Sequence, residues 1–426
     1  MQQGSVTAAR PGTPQERPGF REFVALMAAV MAVNALSTDP MLPAFPEIAA
    51  DLNVANPNDL QWMISIYFMG LGLGSLLYGP LADRFGRKPV LTICLGLFVA
   101  ATAFCTIAWS FPAMLLGRFA AGFFAAGSRV IAISIVRDRF HGDAMARVMS
   151  LIFIVFMIVP ILAPTFGQSM LLLAPWRGIF GALLIVDLTI LIWFLTRMPE
   201  TLRPENRVEI TLSDIMRTLG EVITHRSSIG YMMATGLVMG ALVGFITSVQ
   251  PIFFDIFHER TLFPICFAGI ASFMGVGSYL NSRLVETFGA RRLSQSALMG
   301  MIALNLVHCL IAWAGMETMW SFIVLQAATM FCFALTGSNF GAISMEPFAR
   351  GAGLASSFQA GLTTLISAGL GAVVGSHFDG TTLPLAMGFF GYGCIALIVV
   401  LWAEKGRLFT RPRRATLRAG AVQPLR

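Results

Sequence analysis

Four charged side chains stand inside long apolar runs: Asp39, Arg118, Arg129 and Asp187. Each costs about 2.5 kcal/mol or more to place in hydrocarbon, so function is the first explanation to test. Counted from Phe23 at 1.5 Å per residue, Asp39 stands roughly 24 Å into the first run; Arg118, counted from Pro112, stands roughly 9 Å from the opposite boundary of its own run. The two therefore share a depth. A carboxylate facing a fixed arginine in low dielectric can exchange its proton for a cationic or polar substrate, so proton coupling is assigned to Asp39 and Arg118. The competing reading makes Asp39 only the end of its helix, wetted before Pro40. Arg129 follows Arg118 by eleven residues, close to three helical turns, which puts both on one face. Arg129 lies nearer its boundary and can also snorkel to the surface. Asp187, near the middle of its run, needs a partner or a proton. Arg129 and Asp187 are therefore secondary intramembrane charges.

These residues need a membrane protein to hold them. Hydrophobic residues make up 56% of the 426 and charged ones 12%, with a mean hydropathy of +0.74, far beyond what a water-soluble core uses. Apolar runs long enough to cross about 30 Å of hydrocarbon follow one another at 22–45, 59–81, 90–110, 112–136, 146–172, 176–197, 227–255, 262–284, 292–314, 318–345, 352–377 and 383–403. The expected fold is all-α, with twelve transmembrane helices. Apart from Arg118 and Arg129 in the spans and Arg177 and Arg260 on the other side, the 29 basic residues fall on even-numbered connections and the two tails. By the positive-inside rule both termini are cytoplasmic. The isoelectric point near 9.4 then reports topology and attraction to anionic lipid, and the basic tail is not assigned to nucleic acid. Residues 1–20 are polar, so the first span is expected to act as its own targeting signal.

The chain is a duplication. Gly79 to Pro89 reads GPLADRFGRKP, and Leu284 to Arg291 reads LVETFGAR, with Glu286 on Asp83, Phe288 on Phe85 and Gly289 on Gly86. Asp39-Pro40 aligns with Gln250-Pro251, and Arg137-Asp138 with Met345-Glu346. The expected organisation is a tail (1–21), a six-helix bundle (22–198), a linker (199–226), a second bundle (227–404) and a basic tail (405–426). Parallel repeats place a substrate site between the halves, with access alternating by rocking.

The loop from Gly79 to Pro89 resembles the signature of the major facilitator superfamily. LGRFAAGFFAAG with IVRD (Leu116 to Asp138) resembles the fourth-helix motif of its proton-coupled members. IVPILAPTFGQ (Ile158 to Gln168) is similar to the antiporter motif, although Ala163-Pro164 and Gly167-Gln168 stand where that motif has Gly-Pro and a Gly-Gly pair. With DPMLPAFPEI (Asp39 to Ile48), Trp176-Arg177, Phe180 and Pro199-Glu200-Thr201, the likeness points to the bicyclomycin and chloramphenicol resistance branch of twelve-helix drug:proton antiporters. The resemblance implies a gating loop of Gly79, Asp83, Arg84, Gly86 and Arg87, with Asp83 at the positive end of the eleventh span near Ala352 and Arg84, Arg87 and Lys88 at the membrane edge; a purely topogenic loop is the alternative. It implies that Pro160, Pro164 and Gly167 bend or thin the fifth span. It puts Asn34, Tyr67 and Gln250 around the cavity, each equally readable as an interhelical hydrogen bond, and the sixth span with Asp187 at the periphery. It also implies a self-sufficient monomer.

The expected function is a proton-coupled multidrug efflux antiporter that exports small amphipathic, lipophilic compounds by alternating access. A proton symporter or metabolite exporter, and a transport-dead sensor or scaffold, are the alternatives. Neither nucleotide loop nor nucleophile constellation is present, so no enzyme activity is expected, and no cofactor. The six cysteines have no ligand-like spacing, so no metal is expected either, and His225, His308 and His377 read as loop or packing residues. The spans of the second half hold no buried acid, which places proton chemistry in the first. Arginine is heavily preferred over lysine, present only as Lys88 and Lys405; this bias hints at a GC-rich bacterium and so at its cytoplasmic (inner) membrane.

Overall fold

A computed structural model describes residues 18–140, 142–203, 205, 207, 212–348 and 352–409. Most of both tails and Arg350 therefore lie outside the described residues. The first half comprises α1 (Phe20–Leu36), a 3-10 helix (Asp39–Ala44), α2 (Phe45–Asp51), a second 3-10 turn (Pro57–Gln61), α3 (Trp62–Phe85), α4 (Arg87–Thr106), α5 (Phe111–Arg139), α6 (Gly142–Leu171) and α7 (Trp176–Arg197). After α8 (Leu212–Thr224) come α9 (Arg226–Pro251), a π turn (Ile252–Ile256), α10 (Phe263–Phe288), α11 (Ala290–Trp313), α12 (Met319–Met345), α13 (Ala352–Ser376) and α14 (Leu383–Ala403). Among the described residues, eleven helices are long and apolar enough to cross a membrane. The thirty-residue α6, some of whose side chains lie outside the described set, completes twelve.

Local chemistry fixes the breaks. The first span is not one helix, because Pro40 and Pro43 lack the N–H groups an α-helix needs. The chain narrows to a 3-10 turn at Asp39 instead. Gly86 separates α3 from α4 with a φ of 105°, and Gly289 separates α10 from α11 with a φ of 84°, conformations open to glycine and strained for other residues. The two loops aligned in the sequence thus share a backbone device. Ser110 caps α5, its Oγ accepting from the Ala113 N–H at 3.4 Å, and Thr318 and Ser321 form a capping box at α12.

Duplication extends to the packing. α3 lies on α5 as α10 lies on α12, and α4 on α7 as α11 on α14. The halves meet along α3 and α13, where a Cβ on Gly72 would fall 2.8 Å from Leu365. At the end opposite the termini, Asn58 Nδ2 donates to the Phe378 carbonyl at 2.9 Å, and Gln168 Nε2 on α6 donates to the Arg260 carbonyl at 3.2 Å. The linker, expected to be a plain polar connection, contains α8. Its Val222 is buried with Met232, Phe348 and Ala355, so the link is docked on the second half.

Candidate functional site

The break after α1 buries Asp39. It is 6% exposed, not wetted, and takes no hydrogen bond or ion pair from any described residue. It stands at the first position of its 3-10 turn, and α6 closes over that turn. A Cβ on Gly167 would lie 1.9 Å from the Pro40 carbonyl oxygen, so only glycine permits this crossing. Pro164 is buried nearby in sequence, and α6 runs unbroken through both prolines. The side chain of Pro160 lies outside those described.

Arg118 enters the same region from α5 and is 1% exposed. It does not pair with Asp39, a departure from the expectation of a facing ion pair. Its Nη1 donates to the Ser37 carbonyl at 2.7 Å and Oγ at 3.1 Å, and its Nε to the Met63 carbonyl at 3.2 Å. Ser37 and Thr38 lie past the end of α1, so the Ser37 carbonyl has no helical donor to serve and is free for a guanidinium. The Tyr67 ring lies under the guanidinium, 4.5 Å from its carbon. Nη2 is buried without a partner.

Tyr67 and Asn34, expected around the cavity, bond each other instead. The Tyr67 hydroxyl donates to Asn34 Oδ1 at 3.2 Å, and Asn34 Nδ2 donates to Ser128 Oγ at 2.9 Å. This chain ties α3, α1 and α5 together and holds the ring beneath Arg118. Tyr67 and Gln250 are both buried, so neither presents a surface to a substrate here. Arg129 is exposed: the α5 face it shares with Arg118 is covered at one arginine and open at the other. Asp187 is 4% exposed, and its Oδ2 is 3.3 Å from Thr102 Oγ1 on α4.

The gating loop is a buried ion cluster. Arg87 was expected at the membrane edge but is 4% exposed, because it bridges Asp83 on α3 and Asp138 at the end of α5, the latter at 3.1 Å. Arg84 is exposed, over the Phe85 ring. Asp83 also faces the first turn of α13, where a Cβ on Gly353 would stand 3.8 Å from its Oδ2, and Gly79 lies against Ser357. Glu200 was noticed in the sequence only as part of a motif. It caps α4, accepting from the Arg87 and Lys88 N–H groups at 3.1 Å each. The second half repeats the cluster: Arg291 bonds Glu346 at 2.7 Å and Glu404 at 2.8 Å.

Sequence reasoning passed over several neighbours of these residues. Ser37, Thr102 and Ser128 are small hydroxyl residues without a motif, and only the fold reveals their partners. His308, read as a loop or packing residue, has its Nε2 within hydrogen-bond distance of Glu317, at 2.6 Å, whose other oxygen meets Thr382. The Glu317 carboxylate, between two spans, is itself largely buried.

Comparison with known proteins agrees with this fold. The sequence profile of the Major Facilitator Superfamily matches residues 27–375. The chain is 27% identical over 393 residues to an uncharacterized MFS-type transporter, YdgK, of Bacillus subtilis, covering 90% of this chain and 95% of that one. It is 29% identical over 391 residues to a bicyclomycin resistance protein homolog of Haemophilus influenzae, covering 89% and 94%. It is 31% identical over 234 residues to the multidrug resistance protein MdtL of Escherichia coli, covering 55% and 59%. Among solved structures, the xylose transporter XylE of Escherichia coli superposes with a TM-score of 0.69 at 11% identity, over 91% of this chain and 97% of that chain. The human organic anion transporter TETRAN superposes with a TM-score of 0.64 at 17% identity, over 91% and 100%. The chain is a multi-pass membrane protein that belongs to the Major Facilitator Superfamily.

Proposed function

We propose that this transporter is a proton-coupled efflux antiporter for small amphipathic compounds, with both termini cytoplasmic in a bacterial inner membrane. The observation that carries the reading is Asp39: an acid buried at a helix break, with no partner among the described residues, in the turn that follows the Ser37 carbonyl holding Arg118. Such a group is stable either protonated or opposite a cation, and exchange needs that choice. The names of the relatives from Haemophilus influenzae and Escherichia coli support drugs as the cargo. Each entering proton supplies about 2.3 kcal/mol per 100 mV and about 1.4 kcal/mol per pH unit, which sustains an outward gradient of tens to hundreds.

Proton flux in proteoliposomes, on addition of a panel of lipophilic drugs, tests the proposal. Wild-type protein is expected to move protons with substrate and Asp39→Asn to lose that flux. Undiminished flux in Asp39→Asn removes Asp39 from the mechanism. Uptake driven by outside acid identifies a symporter, and no flux with any compound leaves a sensor or scaffold.

A further inference from the structure

A cavity of about 10 Å³ lies between α4, α5, α7 and the end of α1, with Ser37, Thr102, Arg118 and Asp187 on its walls beside the apolar Phe180 and Leu183. That is about the room one water needs, and a buried water needs two to four polar partners. Two are waiting. Arg118 Nη2 is buried and without a partner, and a guanidinium nitrogen of this kind only donates. Asp187 faces it across the cavity with no direct ion pair between them.

The Thr102 hydroxyl has one hydrogen and two oxygens within reach: the Phe98 carbonyl at 3.1 Å and Asp187 Oδ2 at 3.3 Å. If that hydrogen goes to Phe98, a protonated Asp187 carboxyl can donate to the Thr102 oxygen. If Asp187 is ionised, the hydroxyl turns to it and leaves the carbonyl. Both hydrogen-bond patterns fit the same heavy-atom positions, so the site accommodates Asp187 in either charge state.

We propose that Asp187 is a second proton-binding group of the first half, joined to Arg118 through one water in this cavity, so that Asp187 and Asp39 compete for the single positive charge of Arg118. With Asp187 ionised, Arg118 is neutralised from the α7 side and Asp39 keeps its proton. With Asp187 protonated, the positive charge is available to an ionised Asp39. Among the described residues, the ionisable groups nearest Asp187 are Cys105 from α4 and Arg118 from α5, which line the same cavity, with Tyr67 from α3 under the guanidinium and Asp39 two residues past the Ser37 carbonyl that holds Arg118. Tyr67 lies within electrostatic reach of both acids. Glu22 on α1 is engaged by Arg197 at the far end of α7. The consequence for transport rests on the antiport reading: a proton released on one side of Arg118 is replaced by one taken up on the other.

The test needs neither substrate nor gradient, so its outcome stands apart from that of the flux assay. Full-length protein in lipid nanodiscs is titrated by difference infrared spectroscopy in the carboxyl region, as wild type, Asp187→Asn and Asp39→Asn. Two groups that share one arginine titrate in two macroscopic steps separated by about one pH unit or more. Each single variant is expected to lose the step at higher pH, leaving the remaining acid to titrate at the lower one. The two variants check each other if one of them folds poorly. An Asp39 titration that is unchanged in Asp187→Asn, or an Asp187 titration that is unchanged in Asp39→Asn, overturns the proposal.

Discussion

Replacing Gly167 with alanine tests whether α6 truly crosses the 3-10 turn at Asp39. The added methyl would stand 1.9 Å from the Pro40 carbonyl oxygen and 2.8 Å from its carbon. Real Cβ contacts do not fall below 3.0 Å, so α6 and the turn must part by about 1 Å. The blocking atoms are backbone, and the prolines at 40 and 43 limit how the turn can yield. Overpacking costs about 1–3 kcal/mol, and a contact with no flexible side chain in it belongs at the upper end, at about 3 kcal/mol. Thermal unfolding of the purified protein measures this beside Gly181→Ala on α7, where a Cβ meets nothing within 4 Å and the change is expected to stay within about 0.5 kcal/mol. Exchange should fall as well, since the turn that moves carries Asp39. If Gly167→Ala unfolds together with Gly181→Ala, the close crossing is wrong, and so is the account of the antiporter motif as the residue set that seats the coupling carboxylate.

Two further substitutions separate structural from chemical roles. Arg87→Met strands Asp83 and Asp138, whose side chains are 25% and 17% exposed, and should cost about 3 kcal/mol; Arg87→Lys should restore only part of this, because an ammonium has no fork to span two carboxylates. Both are read by thermal unfolding. Tyr67→Phe removes the bond to Asn34 and should cost about 1 kcal/mol, whereas Tyr67→Leu also removes the ring under Arg118 and should cost about 2 kcal/mol more. Equal losses in the two would deny the ring any part in holding the arginine.

Much of the fold was legible because a membrane helix declares itself by length and oil, and a repeat by its own echo. The loops at Gly86 and Gly289 are the clearest case: one aligned glycine in each half, both at positive φ. The positions of Asp39 and Arg118 were also readable, since an isolated charge in an apolar run is conspicuous. Their relation was not. The sequence places both at one depth but says nothing of the Ser37 carbonyl left over where α1 stops, which together with the Met63 carbonyl on α3 holds Arg118. Arg87 illustrates the same limit from the other side. A basic residue beside a membrane boundary suggests the surface, and only the approach of α3 and α5 shows that two acids have drawn it inward. For α8 the cause is different: a thirteen-residue amphipathic helix in a polar linker is too short and too mixed to register as a span.

The two halves share a scaffold and differ in charge, and that difference argues for where the chemistry resides. The Arg87 side chain with Asp83 and Asp138 has a counterpart in Arg291 with Glu346 and Glu404, one position along from Arg87 when Gly86 is set on Gly289, so each half carries an arginine between two acids at the terminal end. The residues proposed for coupling are not repeated in the second half. Gln250 occupies the place of Asp39. Gln326 stands as far before Glu346 as Arg118 stands before Asp138, and it is buried with both amide atoms unpartnered. Neutral amides at both positions keep the burial and the polarity and lose the ability to titrate. A symmetric pair of proton sites would let either half release its proton first. If Asp39 and Arg118 couple protons as proposed, that chemistry belongs to the first half, because the second half has amides at both places. The second half can then supply the surface against which it rocks.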